Sequence, residues 1–225
     1  MPATPDPPPG EPGGALVELV RVMAQLRAEC AWKREQTHRS LSRYLLEEAH
    51  ETLEAIDTGE ATGSWDHLRE ELGDLLLQVY FHAVVADEAG EFTIDDVAAG
   101  ITAKLRRRNP HVFGDAEAAD PASVNEMWEA IKAEEKQRPS PLDGLPPTLP
   151  ALLLADKALD RLDRVRRTRG DLPPSPQGSP AGPAEPAADP TVEVGERLLA
   201  LVAEARLAGV DPEQALRDAV RRLAP

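Results

Sequence analysis

Two short acidic patterns carry most of the chemistry this chain can offer. One reads Glu47-Glu48-Ala49-His50-Glu51, the other Glu71-Leu72-Gly73-Asp74. Glu48 and Glu51, like Glu71 and Asp74, are three positions apart, and on an α-helix such positions lie one above the other on the same side. Two helices packed antiparallel across a short turn can then face four carboxylates at one another. That array supplies hard, anionic oxygens for Mg2+, which prefers octahedral oxygen coordination and shares its sphere with phosphates. Acids on a helix are more often a solvated face, and Glu47 and Glu54 fit that reading for the first pattern taken alone. The second pattern shifts the balance. From Leu75 to Val85 the chain is apolar nearly all round, which predicts a helix buried on most sides. Glu71 and Asp74 stand at its start, in the same angular sector as Gln78, Phe81 and Val85. A carboxylate buried without a partner costs several kcal/mol or takes up a proton, and a bound cation removes that penalty. Gly73, between the two acids, lets another backbone or a ligand approach closely.

Basic and aromatic residues add a second layer. Lys104 and Arg108 are four apart and share a helix face, where they could hold phosphate oxygens, and arginine suits bidentate phosphate contacts. A solvated basic helix end is an equally good reading of this pair, and Lys132 has the same two readings. Trp32 and Trp128 could stack on a base, although a lone tryptophan is more often part of a core. His38 is a candidate pocket residue, whereas His50, His67 and His82 read as packing or surface positions. Cys30 is the only cysteine and reads as inert. No Gly-rich phosphate loop is present, which excludes a P-loop mechanism.

The elements that must position these residues follow from composition and periodicity. The chain has 225 residues, 41% of them apolar but only 4% aromatic, so its core is built from Leu, Ala and Val and favours packed helices. A net charge of −15 repels nucleic acid and anionic membrane surfaces. A phosphorylated substrate would therefore need a metal or a local basic cluster. Residues 1–14 are Pro- and Gly-rich and predict a disordered N-terminus without signal-peptide character. No apolar run approaches the roughly 20 residues of a membrane span. A single cysteine fits a reducing compartment, and a cytoplasmic location is expected.

Helical spacing begins at Ala15. A polar connection carrying Trp32 follows, and a second helix is expected after Ser40, stopping near Gly59. A third is expected from Ser64 to about Glu88, with Gly90 as its stop. Thr93 with Asp96 predicts a capping box opening a fourth, which ends in Arg106-Arg107-Arg108. Pro110 and Gly114 mark a loop, and a fifth helix is expected from about Ala122 to Gln137. Prolines break the chain after residue 138. A short helix is expected at about 152–166, a Pro- and Gly-rich linker at 171–190, and two last helical segments around 192–208 and 211–223. No strand is expected.

The acids sit within a larger ordered set of motifs. Cys30-Ala31-Trp32 precedes Gln36-Thr37-His38-Arg39-Ser40-Leu41 and Tyr44-Leu45-Leu46-Glu47-Glu48. Glu70-Glu71-Leu72-Gly73-Asp74-Leu75-Leu76-Leu77-Gln78-Val79 leads into Phe81-His82-Ala83. Lys104-Leu105-Arg106-Arg107-Arg108 leads into Pro110-His111-Val112-Phe113-Gly114, and Trp128 and Lys132 follow. Over about residues 15–138 this set resembles the MazG-type nucleotide pyrophosphohydrolases. The chain departs from the family's usual Cys-Pro-Trp-Asp, with Ala31 and Lys33 replacing the Pro and Asp. The resemblance implies a Mg2+-dependent hydrolase, with Mn2+ as an alternative ion, that converts NTP or dNTP to the monophosphate and pyrophosphate in nucleotide-pool house-cleaning. It implies Glu48, Glu51, Glu71 and Asp74 as metal ligands. Glu47 and Lys132 would be catalytic, and Lys104, Arg108, Trp128, Trp32 and His38 would bind substrate. It also implies a homodimer or higher homo-oligomer.

The fold expected is all-α, a helical bundle of antiparallel helical hairpins. A catalytic domain at 15–138 would be followed by a Pro-rich linker at 139–190 and a helical remnant of a second such domain at 191–225. The remnant is suggested by Glu193-Val194-Gly195-Glu196 with Leu198-Leu199, which echoes Glu71-Leu72-Gly73-Asp74 with Leu76-Leu77. Its counterpart of the Glu-Glu-x-x-Glu helix is missing. Two other classes compete with the hydrolase reading. One is a non-catalytic helical interaction module; the other is a di-iron carboxylate bundle, for which Glu47-Glu48-Ala49-His50 supplies only one of two Glu-x-x-His motifs.

Overall fold

The computed structural model describes residues 13–118, 120–136, 140–170 and 189–223. The expected N-terminal tail, up to residue 12, and the linker at 171–188 lie outside the described residues. Among those described, all regular structure is helical and no strand occurs. The chain divides into two compact units, Met1–Trp128 and Glu129–Pro225.

The first unit contains α1 (Gly14–Glu29), α2 (Ala31–Arg34), α3 (His38–Thr62), α4 (Asp66–Glu88), α5 (Ile94–Arg108), α6 (Pro110–Phe113) and the start of α7 (Pro121–Lys136). α3 begins earlier than Ser40 because Thr37 is its N-cap. The Thr37 side chain accepts from the Ser40 backbone N–H while the Ser40 hydroxyl accepts from that of Thr37, a reciprocal capping box. α3 also continues past Gly59 to Thr62 and ends at Gly63, whose φ of +75° suits glycine at a left-handed C-cap. Gly59 is instead a contact point. A Cβ there would lie 2.5 Å from the Trp65 ring, so the missing side chain lets Trp65 pack against the end of α3. The turn at 63–65 then returns the chain as α4, which starts at Asp66 rather than directly after Ser64. Among the described residues, α3 and α4 form the most extensive helix pairing.

Met23, Leu41, Tyr80 and Phe81 are the buried centre of this unit, bringing α1 and α3 onto α4. Full burial of side chains such as Leu41 and Phe81 contributes about 2 kcal/mol each. The Tyr80 hydroxyl donates to the Leu16 carbonyl at 3.3 Å. α4 is enclosed on most sides along its apolar run, as its sequence predicts. Gln78, Tyr80, Phe81, Ala83 and Ala86 are buried, and within 75–85 only Val79, at 40%, is exposed. α5 opens with the expected Thr93–Asp96 capping box, and Asp96 is held below the usual carboxylate range by bonds from the Thr93 backbone and side chain.

In the second unit, α8 (Ala151–Arg169), α9 (Pro190–Leu207) and α10 (Pro212–Arg221) contact one another in pairs. Arg206 of α9 joins the helices, donating to the Asp156 carbonyl at 2.9 Å and to the Asp156 and Asp160 carboxylates at 2.6 and 3.3 Å. Among the unit's described residues, Val202 is fully buried. No helix among the described residues is long and apolar enough to cross a membrane.

Candidate metal and nucleotide site

Glu48 stands near the middle of α3, and Glu71 and Asp74 stand in the second and third turns of α4. The hairpin brings them together: one carboxylate oxygen from each lies within 4.8 Å of the others, and all three side chains are half-buried. The i, i+3 spacing aligns Glu71 with Asp74 on one face of α4, and the α3–α4 packing aims Glu48 at that pair. Glu51, one turn beyond Glu48, is exposed and outside the group of three. It still couples to the group. Burial first, then the charge of Asp74 and of Glu51, a hydrogen bond with Glu51, and the charge of Glu71 all push the Glu48 carboxyl above its ordinary value. Glu47 is exposed.

Two neighbours not expected to serve the site touch these acids. The Gln78 side chain is 5% exposed and donates from Nε2 to Glu48 Oε1 at 3.4 Å, while its own Oε1 is buried without a protein partner. His67 Nε2 lies 3.0 Å from Glu71 Oε1. Helical spacing held both signals, since Gln78 is four residues after Asp74 and His67 four before Glu71. Gly73 has open space where a Cβ would stand, so close backbone approach does not explain it within this chain.

The donor set suits a hard divalent cation. Carboxylate oxygens converge, no histidine joins the group, and the like charges that raise Glu48 are those a cation would neutralise.

The aromatic and basic residues fall in separate places. Trp32 is 50% exposed rather than core, edge-on to Tyr44 with ring centres 6.0 Å apart. Arg108 is not a solvated helix end. It is buried, with its guanidinium 5.0 Å from the Trp128 ring centre, whereas Lys104 on the same helix is exposed. Lys132, in the second unit, pairs with Glu129 at 3.1 Å. His38 and His82 meet through their Nδ1 atoms at 2.8 Å with nearly parallel ring planes. The centre separation of 5.1 Å matches two rings joined edge to edge, so the contact is an in-plane hydrogen bond rather than a face stack. His82 Nε2 is buried without a partner. The two Nδ1 atoms share one proton, and placing it on His82 would avoid a buried unpaired N–H at Nε2. Burial, then the neighbouring His38, holds the His82 pKa below its ordinary value.

A hairpin that converges three acids on one point defines a helical carboxylate-cluster protein suited to divalent-cation chemistry. Residues 36–113 match the profile of the MazG nucleotide pyrophosphohydrolase domain, a span that holds all of these acids. The chain is 40% identical over 221 residues, covering 94% of itself and 84% of the relative, to a protein of Thermotoga maritima named nucleoside triphosphate pyrophosphohydrolase/pyrophosphatase MazG. It is 43% identical over 211 residues, 92% of itself and 79% of the relative, to an uncharacterized 26.1 kDa protein from the blaB 3′ region of Streptomyces cacaoi. It is also 45% identical over 149 residues to the nucleoside triphosphate pyrophosphohydrolase of Escherichia coli, covering 64% of itself and 55% of that protein. The chain belongs to the MazG family of nucleotide pyrophosphohydrolases.

Proposed function

We propose that this protein hydrolyses nucleoside triphosphates, ribo or deoxy, to the monophosphate and pyrophosphate in the presence of Mg2+, with Mn2+ able to substitute. The observation that carries this reading is the convergence of Glu48, Glu71 and Asp74 within 4.8 Å of one another. Those three residues and Glu51 would hold the ion. When bound, a divalent cation supplies charge neutralisation at the phosphate oxygens and makes water more acidic. The rest is work for the chain's own side chains. Glu47, exposed next to Glu48, would accept a proton from the water that attacks the α-phosphorus. Lys104 and Arg108 would supply positive charge for the β- and γ-phosphates, which a chain of net charge −15 needs locally, and Lys132 is kept as a catalytic candidate. Trp32 would offer an exposed ring to the base; Trp128 would lend a second aromatic surface, and His38 would line the pocket. A homo-oligomer in the cytoplasm, without nucleic acid or membrane partners, completes the reading.

The test is a panel of ribo- and deoxynucleoside triphosphates assayed with and without Mg2+ for monophosphate and pyrophosphate. Release of both products only with Mg2+ is expected. Glu48→Gln and Asp74→Asn should each reduce turnover by at least about a hundredfold while preserving the helical circular dichroism signal. Orthophosphate as the product, or full turnover by either variant, would overturn the assignment.

A further inference from the structure

Arg27, near the end of α1, makes a set of contacts that the metal site does not use. Its side chain is 8% exposed. Nε donates to Glu88 Oε1 at 2.9 Å and Nη2 donates to Glu88 Oε2, so the fork closes on a carboxylate at the last residue of α4. Nη1 turns the other way and donates to the backbone carbonyls of Lys33, Arg34 and Gln36, the last two at 3.0 and 3.1 Å. The guanidinium also lies 5.9 Å from the centre of the buried Phe81 ring.

These three carbonyls belong to the end of α2 and the turn into α3. A four-residue helix leaves its last carbonyls short of intrahelical partners; Arg27 donates to those of Arg34 and Gln36 and joins the Gln36 backbone N–H, 3.3 Å away, at that of Lys33. The network continues outward. Gln36 Nε2 donates to the Trp32 carbonyl at 2.9 Å, and the Ser40 hydroxyl of the α3 capping box donates to Gln36 Oε1 at 2.8 Å. Arg27 therefore fixes Gln36, and Gln36 fixes the backbone of Trp32, whose ring stands half-exposed against Tyr44. Lysine cannot reproduce this, because its single ammonium lacks the planar fork that reaches a carboxylate on one side and carbonyls on the other.

We propose that Arg27 is a positioning residue for nucleotide binding: it holds the 32–36 segment so that Trp32 is presented as a preformed ring surface for the nucleobase. The inference rests on Trp32 contacting the base, as in the functional reading above. Arg27 acts through that segment and leaves the carboxylate cluster alone, so its loss weakens substrate binding rather than chemistry.

The full-length chain carrying Arg27→Lys provides the test. KM for a nucleoside triphosphate at saturating Mg2+ should rise about tenfold with kcat within about twofold of wild type. Backbone hydrogen exchange at 31–36 should accelerate, while the Mg2+-induced rise in melting temperature stays the same. Trp32→Ala should raise KM similarly, and the double variant should add little, as expected for two residues acting in one chain of contacts. Glu88→Gln, at the half-exposed end of the clamp, should move KM in the same direction by less, and it decides the matter if Arg27→Lys does not fold. A fall in kcat with KM unchanged, additive effects of the two substitutions, or an unaltered KM in Glu88→Gln would overturn the proposal. Slow exchange at 31–36 in Arg27→Lys would defeat the positioning role without any nucleotide assay. Absence of wild-type turnover would defeat the functional reading itself.

Discussion

At Glu48 burial and like charge act in the same direction, and both disfavour the ionised form. Gln78 donates to Glu48 Oε1 at 3.4 Å, a long contact that fixes orientation more than it stabilises charge. Residues that orient a ligand carboxylate from behind typically affect metal affinity tenfold or more. Gln78→Leu is accordingly expected to weaken the Mg2+-induced thermal shift by about tenfold in the concentration required, measured by titrating Mg2+ at fixed protein. An unchanged titration would assign Gln78 to packing alone. His82 carries a separate prediction. Its folded-state pKa is depressed by burial and by His38, so the unfolded chain binds the proton more readily. The stability that comes from keeping His82 neutral is present above the ordinary histidine value of about 6.5 and is lost as pH falls through that value toward the lower folded one. Wild-type unfolding free energy should decline across that window, and His82→Asn should flatten the decline. An identical pH profile for the variant would show that His82 is not the group responsible.

The α3–α4 hairpin is the element that turns two linear patterns into a site. Its geometry depends on how the chain turns at 63–65, where Gly63 takes the left-handed conformation and Trp65 packs into the space left by Gly59. On helix propensity alone, Gly59→Ala would stabilise α3 by about 1 kcal/mol. The new Cβ would meet two Trp65 ring atoms at 2.5 Å, so the ring must leave, and overpacking of this kind costs roughly 1–3 kcal/mol. The expected outcome is net destabilisation by about 1 kcal/mol in urea unfolding, with a red-shifted tryptophan emission. A more stable variant would show that the turn tolerates Trp65 elsewhere. The same element bears out a sequence expectation. The apolar run 75–85 predicts burial on most sides, and every position in it except the part-exposed Val79 is buried or half-buried.

Over the whole molecule, the described carboxylate cluster, its hydrogen-bonded neighbours and the Arg27 clamp all lie within the first compact unit. The second unit is held by its own Arg206–Asp156–Asp160 contacts and its own buried Val202. A chain ending after residue 138 is therefore expected to keep its helical signal and its Mg2+-induced stabilisation, with the Mg2+ midpoint within about threefold of full length. Loss of the metal response on truncation would show that the α8–α10 unit completes the site.

The one-turn helices α2 and α6 read from sequence as a polar connection and a loop, whereas the long helices, the capping box at Thr93, the αL stop at Gly90 and the pairing of Glu71 with Asp74 were legible in the linear chain. All follow from local rules, because a helix repeats at a fixed pitch and its ends need particular side chains to satisfy free backbone groups. The positions of Glu51 and Arg108 were not. Glu51 shares a helix face with Glu48 but is exposed, and Arg108 is buried against Trp128 instead of solvated. Nor could spacing reveal Arg27 with Glu88, 61 residues apart, or His38 with His82, 44 apart. By itself the sequence determined which acids lie on a common helical face and that two such faces would meet across one turn. Only tertiary packing decided which carboxylates converge, since the rotation of one helix against another is set by how distant apolar side chains such as Met23, Leu41 and Phe81 fill a shared core.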